Sequence, residues 1–307
     1  MRVLIIGGTG LLGKALLQGW TGDEVIATGS RDADIRDETQ VQNLVSRCRP
    51  DWTILAAAYT DVDGCEKNPV LAHAVNCGGA ANVARVAREY GSRLMLISTD
   101  YVFDGAKSTP YEVNDPVSPI NVYGKTKAAA EAAVRENLPD CCIVRTAWLF
   151  GVDGKCFPNT ILALARERKE LLVVADQRGS PTFNRDLARA IVELTRVNAE
   201  GTVHATNSGD CTWFEFAQAL SQAANLAQIV VKPISTEELP RPAKRPKYSA
   251  LSHASLWKYG ISMRPWQRAL KDYLDERLDK IWVVRRQAAT ASEVLPTGSS
   301  SGEGSKR

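Results

Sequence analysis

The sequence has no long apolar run, only three histidines and almost no charge imbalance. No apolar stretch approaches the roughly 20 residues that cross a bilayer as a helix. The run that opens the chain, Val3–Ile6, is too short for a secretory signal. A cytoplasmic protein with no membrane partner is expected. His73, His204 and His253 stand far apart, which argues against a His-rich metal site. The seven cysteines (48, 65, 77, 141, 142, 156 and 211) are odd in number, irregularly spaced and form no C-x-x-C. Free thiols in a reducing compartment follow, with no disulfide framework and no metal ligand set. A net charge of +3 is too small to imply nucleic acid, although the local basic clusters suit an anionic small ligand. Internal repeats are also absent.

What remains is an ordinary globular composition, 44% hydrophobic and 24% charged over 307 residues, enough to bury a large core. Short branched runs read as strands at Arg2–Ile6, Glu24–Gly29, Trp52–Ala58, Arg93–Ile97 and Cys142–Thr146. Helical patterns lie between them at Lys14–Trp20, Glu38–Cys48, Pro69–Tyr90 and Asn121–Asn137. This alternation predicts an α/β fold, a Rossmann-type doubly wound parallel sheet, in residues 1–150. Beyond Trp148 the pattern loosens. Helices are expected at Phe157–Arg168, Asp186–Val197, Thr212–Ala224 and Pro265–Trp282, and strands at Leu171–Ala175, Thr202–Ala205 and Ile229–Pro233. Residues 151–284 therefore read as a smaller C-terminal substrate-binding lobe that can return elements to the first domain. The Ser- and Gly-rich residues 285–307 read as a disordered tail.

In a doubly wound sheet, ligands sit beyond the carboxyl ends of the strands. Gly7-Gly8-Thr9-Gly10-Leu11-Leu12-Gly13 joins the first strand to the first helix, with Gly7, Gly10 and Gly13 in a G-x-x-G-x-x-G spacing. Its glycines allow a tight turn, and the helix start offers free N–H groups to a pyrophosphate. The bland alternative is a strand–helix turn without a ligand. After the second strand, Ser30-Arg31 stands where a carboxylate would bind the adenosine ribose. An Arg there suits a 2′-phosphate, so NADPH is expected, with NADH as the alternative. Asp34 and Ile35 then fall near the adenine. Ala56-Ala57-Ala58-Tyr59-Thr60 ends the third strand with side chains small enough for a cofactor to lie against the backbone, or simply for close packing.

The stretch Leu94–Lys127 carries the chemistry. Thr99 ends a strand, and Tyr123 and Lys127 lie four apart on one helix face. A Lys beside a phenol is expected to lower the phenol's pKa, letting Tyr123 pass a proton to a developing alkoxide while Thr99 bonds the same oxygen. Lys127 can also hold the nicotinamide ribose. Trp213, Phe214 and Phe216 read as core, Cys156 as an inert thiol, and Lys244–Lys247 as a solvated loop or an anion site.

With these motifs together the chain resembles the extended short-chain dehydrogenase/reductases and, within them, the dTDP-4-dehydrorhamnose reductase family. The matching segments are Gly7–Gly13, Ala56–Asp63, Ser98–Gly105, Tyr123–Lys127, Arg145–Gly151, Asp176–Thr182 and Arg245–Leu251. The resemblance implies that Thr99, Tyr123 and Lys127 are catalytic. It implies that Asp100, Tyr101 and Trp148 line a sugar site with Thr60 and Val62 nearby, and that Arg245 serves the nucleotide end of a dTDP-sugar. The implied reaction is NAD(P)H-dependent reduction of C4 of dTDP-4-dehydro-β-L-rhamnose by a monomer or homodimer. Related 4,6-dehydratases carry Glu after the Thr-Asp pair. Tyr101 here favours plain ketone reduction.

Two positions depart from the pattern. Ala15 stands where some members place a carboxylate for a magnesium-bridged dimer, and Cys156-Phe157 replaces a frequent Asn-Phe. Two rivals stay open: a reductase of another 4-keto deoxysugar nucleotide, and a dinucleotide-binding regulatory subunit like the methionine adenosyltransferase β subunit.

Overall fold

The computed structural model describes residues 1–292, with side chains up to Asp279. The first half alternates strand and helix: β1 (Arg2–Ile6), α1 (Leu11–Gly19), β2 (Glu24–Thr28), α2 (Glu38–Cys48), β3 (Trp52–Leu55), α3 (Val62–Lys67) and α4 (Pro69–His73). One π turn, Ala74–Gly78, links α4 to α5 (Gly79–Glu89), and β4 (Arg93–Thr99) ends in a 3₁₀ turn, Asp100–Val102. Then come α6 (Val122–Asn137) and β5 (Cys142–Thr146). The second half contains β6 (Leu149–Phe150), α7 (Phe157–Leu164), β7 (Glu170–Val174), β8 (Arg178–Gly179), β9 (Thr182–Phe183) and α8 (Asn184–Arg196). It closes with β10 (Gly201–His204), β11 (Cys211–Thr212), α9 (Trp213–Ala223), β12 (Val230–Ile234), α10 (Ala254–Trp257) and α11 (Trp266–Ser292).

Six strands form one parallel sheet in the order β10-β5-β4-β3-β1-β2. Its central strands are buried on both faces, which is why they read as unbroken apolar runs. One face packs against α1 and α8, with Val3, Ile5, Leu16, Leu187, Ile191 and Leu194 in the layer. The other packs against α2, α5 and α6 through Leu4, Val41, Val83, Leu94 and Val134. A third core, around Phe150, Phe183, Phe216 and Tyr273, belongs to the C-terminal lobe.

Elements from the second half of the chain complete the layers of the first. β10 is the sixth strand of the main sheet, and α8 lies on α1. The strand order changes direction between β1 and β3, and this leaves a crevice beyond their carboxyl ends. α11 runs through Ser292, so residues 285–292 of the segment read as a tail continue that helix, while residues 293–307 lie outside the described residues. Among the described residues no helix is long and apolar enough to cross a membrane.

Candidate active site

The glycine turn builds the first wall. Gly7 lies at φ 98°, and a Cβ on Gly13 would stand 2.2 Å from the Gly7 carbonyl oxygen. Only glycine lets α1 start this close to β1. Gly10 caps α1 without a side-chain bond, and the first turn holds no acidic residue. An uncapped helix start beside an all-alanine wall fits the pyrophosphate of a dinucleotide.

A cavity of about 560 Å³ opens there. From the cofactor set it is lined by Gly7, Thr9, Gly10, Leu11, Leu12, Gly13, Ser30, Ala57 and Ala58, and from the substrate set by Thr60, Val62, Thr99, Asp100, Tyr101 and Trp148. Tyr123 and Lys127 close its inner end. A wider groove of about 850 Å³ between α7, α9 and α11 gathers no such set of buried polar groups.

Five proposed residues lie off the cavity wall. Arg31 is exposed just past β2, in a turn where the Gly29 N–H donates to Asp32 at 2.7 Å. Asp34 is committed to Arg36, whose Nε donates to it at 2.9 Å. Ile35 is buried against Gly79. Tyr59 turns its hydroxyl toward Gly64, and its backbone N–H donates to Asn76 Oδ1 at 2.7 Å. Arg245 grips Asp63 with two bonds of 2.8 Å and sits close to Tyr101.

The reactive groups converge from β4 and α6. The Thr99 hydroxyl donates to Asp100 Oδ1 at 3.0 Å and accepts from the Tyr101 N–H at 3.2 Å. The Asn121 side chain caps α6 by accepting from the Gly124 N–H at 2.7 Å. A Cβ on Gly124 would lie 2.1 Å from the Tyr101 carbonyl oxygen, so glycine after Tyr123 is what lets α6 meet the 3₁₀ turn. The Tyr101 and Tyr123 rings then meet edge to face at 5.8 Å. In the π turn, Asn76 Nδ2 donates to the Tyr59 carbonyl at 3.1 Å and to Thr126 at 3.0 Å, locking the β3 end to α6.

The electrostatics correct one expectation. Lys127 does not lower the phenol of Tyr123. Burial pushes that phenol far above its ordinary value, and a hydrogen bond from Thr99 opposes this only in part. Lys127 points elsewhere: its Nζ donates to the Ile97 carbonyl at 2.7 Å. Burial lowers its own pKa to about 8. A neutral phenol that keeps its proton is a donor, as ketone reduction requires. Burial likewise raises Asp100 to about 6 against hydrogen bonds from Ser249 and Thr99, and among the described residues its Oδ2 has no partner in good hydrogen-bond geometry. Thr146 Oγ1, on the cavity wall, is also buried without a partner. Such orphaned atoms beside a cavity fit a polar ligand.

Trp148 sits at φ 45°, a left-handed conformation uncommon for a bulky residue. Its ring stacks on Trp213 at 3.4 Å and 5°. Trp213 therefore lines the cavity, contrary to its reading as core, while Phe216 is fully buried in the core as expected. Nothing local marks Trp213: it is the first residue of α9, and its partner lies 65 positions earlier. Lys155 on the cavity rim was also missed. Cys156 bonds the Gly151 carbonyl through Sγ at 3.3 Å, and burial raises its thiol, as suits an inert cysteine.

Residues 1–278 match the family described as the RmlD substrate binding domain. The chain is similar to the spore coat polysaccharide biosynthesis protein SpsK of Bacillus subtilis, with 39% identity over 278 residues, 90% of this chain and 98% of that protein. It is 40% identical over 277 residues to the dTDP-4-dehydrorhamnose reductase of Mycolicibacterium smegmatis, 88% of this chain and 84% of that one. A solved structure, dTDP-4-dehydrorhamnose reductase of Bacillus anthracis in complex with NADP, superposes with a TM-score of 0.88 at 41% identity, covering 90% of this chain and 99% of that one.

Proposed function

This chain belongs to the RmlD substrate-binding-domain family, and from that membership we propose that it is an NADPH-dependent reductase of a 4-keto sugar nucleotide. Its reaction is reduction of the C4 ketone of dTDP-4-dehydro-β-L-rhamnose to give dTDP-β-L-rhamnose, with NADH a weaker donor. The observation that carries the reading is the meeting of Thr99, Tyr123 and Lys127 at the inner end of one cavity whose outer wall is the uncapped start of α1.

When bound, the nicotinamide supplies the hydride to C4. The residues of the chain do the rest. The first-turn N–H groups of α1 and Thr9 would hold the cofactor's pyrophosphate, Ser30 on the cavity wall with the neighbouring Arg31 would take a 2′-phosphate, and Lys127 would hold the nicotinamide ribose. Thr99 bonds the C4 oxygen, and Tyr123 gives that oxygen the proton that completes the alcohol. Asp100, Tyr101 and the Trp148–Trp213 pair shape the sugar pocket, and Arg245, held by Asp63 beside Tyr101, would serve the nucleotide end of the substrate. In this reading the enzyme works in the cytoplasm for cell-surface polysaccharide synthesis, as a monomer or homodimer, without nucleic acid or membrane partners.

The test is NADPH oxidation with the 4-keto sugar generated in situ from dTDP-glucose, with and without the 3,5-epimerase. Turnover that needs the epimerase supports the rhamnose assignment. Turnover without it moves the substrate to the unepimerised 4-keto sugar. Cofactor binding without turnover on either substrate refutes a catalytic role.

A further inference from the structure

One buried cluster lies directly behind the reactive residues and has no part in the steps above. Glu131, one helical turn after Lys127 on α6, is 1% exposed. Its Oε1 accepts from the Ser98 hydroxyl at 2.6 Å and from Arg145 Nε at 2.9 Å. Its Oε2 accepts from Arg145 Nη2 at 2.7 Å. Arg145 is 2% exposed and also meets His204 Nε2 at 3.4 Å. Burial lowers His204 to about 3, so its ring is neutral and accepts from the guanidinium.

The placement is specific. Ser98 precedes Thr99 on β4, Arg145 precedes Thr146 on β5, and Ser98 and Arg145 are register partners. One carboxylate thus ties the helix that carries Tyr123 and Lys127 to the ends of two strands that line the cavity. A buried ion pair is weak evidence of stabilisation, because apolar residues of similar volume often serve as well. Its position one turn from the buried ammonium gives it a second consequence. We propose that Glu131 is a positioning residue of the reductase site: its buried carboxylate, bonded to Ser98 and Arg145 one helical turn from Lys127, fixes α6 where Tyr123 meets Thr99. This rests on the reductase reading above.

The elements packed on α6 carry Asp63, Cys65, Glu66 and Lys67 on α3, His73 on α4, Cys77 in the π turn, Arg85, Arg88 and Glu89 on α5, Arg93 on β4, and Asp100 and Tyr101 in the 3₁₀ turn. Among the described residues, Glu131 is the one whose charge acts appreciably on Lys127, and it opposes the lowering caused by burial. Although burial acts to raise the Glu131 carboxyl, its bonds to Arg145 outweigh this and hold it below the usual range. It is therefore charged throughout the working pH range.

The experiment is the pH profile of kcat/KM for the sugar nucleotide in wild type, Glu131→Gln, Glu131→Asp and Arg135→Ala. In the wild type the alkaline fall is expected to follow Lys127, whose pKa burial lowers to about 8. Removing the charge in Glu131→Gln moves that fall about one pH unit lower, while NADPH binding at pH 6 is unchanged. Glu131→Asp keeps the charge and leaves the fall near pH 8, with a lower plateau. Arg135, half-exposed, lies 3.3 Å from Glu131 Oε2. Removing it leaves the fall near pH 8, so Arg135→Ala is the control for a general surface-charge effect. If Glu131→Gln does not fold, Glu131→Met with Arg145→Met replaces the buried pair by apolar side chains, and the fall again moves lower. A purely structural Glu131 would lower the plateau in each Glu131 variant and shift no limb, and that result overturns the proposal. Wild-type protein that binds NADPH but turns over no keto sugar fails earlier, on the reductase reading itself, and takes this inference with it.

Discussion

Tyr123 and Asp100 lie within one cavity, and burial drives both pKa values upward with opposite consequences. For the phenol the shift keeps the proton in place, as the donor of the proposed reduction must. Tyr123→Phe is therefore expected to lower kcat by roughly 10²–10⁴-fold and to leave NADPH binding, followed by fluorescence titration, unchanged. For Asp100 the shift is a cost, because at pH 7 the group is ionised in a buried place. Its folded pKa of about 6 lies above the ordinary 3.8, so stability falls as pH rises from about 4 to about 6. Asp100→Asn removes the charge and should stabilise the fold by about 2–3 kcal/mol at pH 7, with the gain vanishing by about pH 4. Urea unfolding at the two pH values measures this; an equal effect at both would refute it. That Thr99, Tyr123 and Lys127 share one cavity was legible in the sequence because the signals are local: a strand end and an i, i+4 pair. Their electrostatics were not, because desolvation depends on what distant segments cover.

The elements show the same division. The five strands of the first half were legible because buried parallel strands must be apolar throughout, and α1, α2, α4, α5 and α6 were legible with them, but the short α3, over residues that read as a loop, was not. The π turn, the 3₁₀ turn and the two-residue strands carry no periodic signal and went unseen. These irregular pieces aim the site: the π turn points Asn76 at Thr126, and the 3₁₀ turn presents Asp100 and Tyr101. The link between β5 and β6 holds Trp148 in its left-handed conformation, where the stack with Trp213 supports it. Trp213→Ala removes that support, and aromatic pairs of this kind contribute about 0.5–1.5 kcal/mol. The KM for the sugar nucleotide should rise several-fold, up to about tenfold, with NADPH binding unaffected. A change in NADPH binding without a change in sugar KM would place the pair on the cofactor side instead.

For the whole molecule, the main sheet draws strands from both sides of residue 150. The pattern cannot show that β10, some 55 residues beyond β5, pairs with it in parallel, because strand neighbours in a crossover fold are set by packing and not by adjacency. Residues 1–150 alone would lack α8 and β10 and expose the surfaces they cover on α1 and β5. The missing contacts include Leu187, Ile191, Leu194 and Val203, all fully or almost fully buried. At about 1.5–3 kcal/mol for each such side chain, their absence forfeits on the order of 6–12 kcal/mol. That is comparable to the whole net stability of an ordinary domain, about 5–15 kcal/mol. The fragment is therefore expected to show no near-UV circular dichroism band and no NADPH binding, although every glycine of the α1 turn is present. The full chain should unfold its sheet in one transition, with tryptophan fluorescence and far-UV dichroism coincident. A fragment ending at residue 150 that binds NADPH with a cooperative melt would show that the first five strands fold alone, and that β10 and α8 only decorate them.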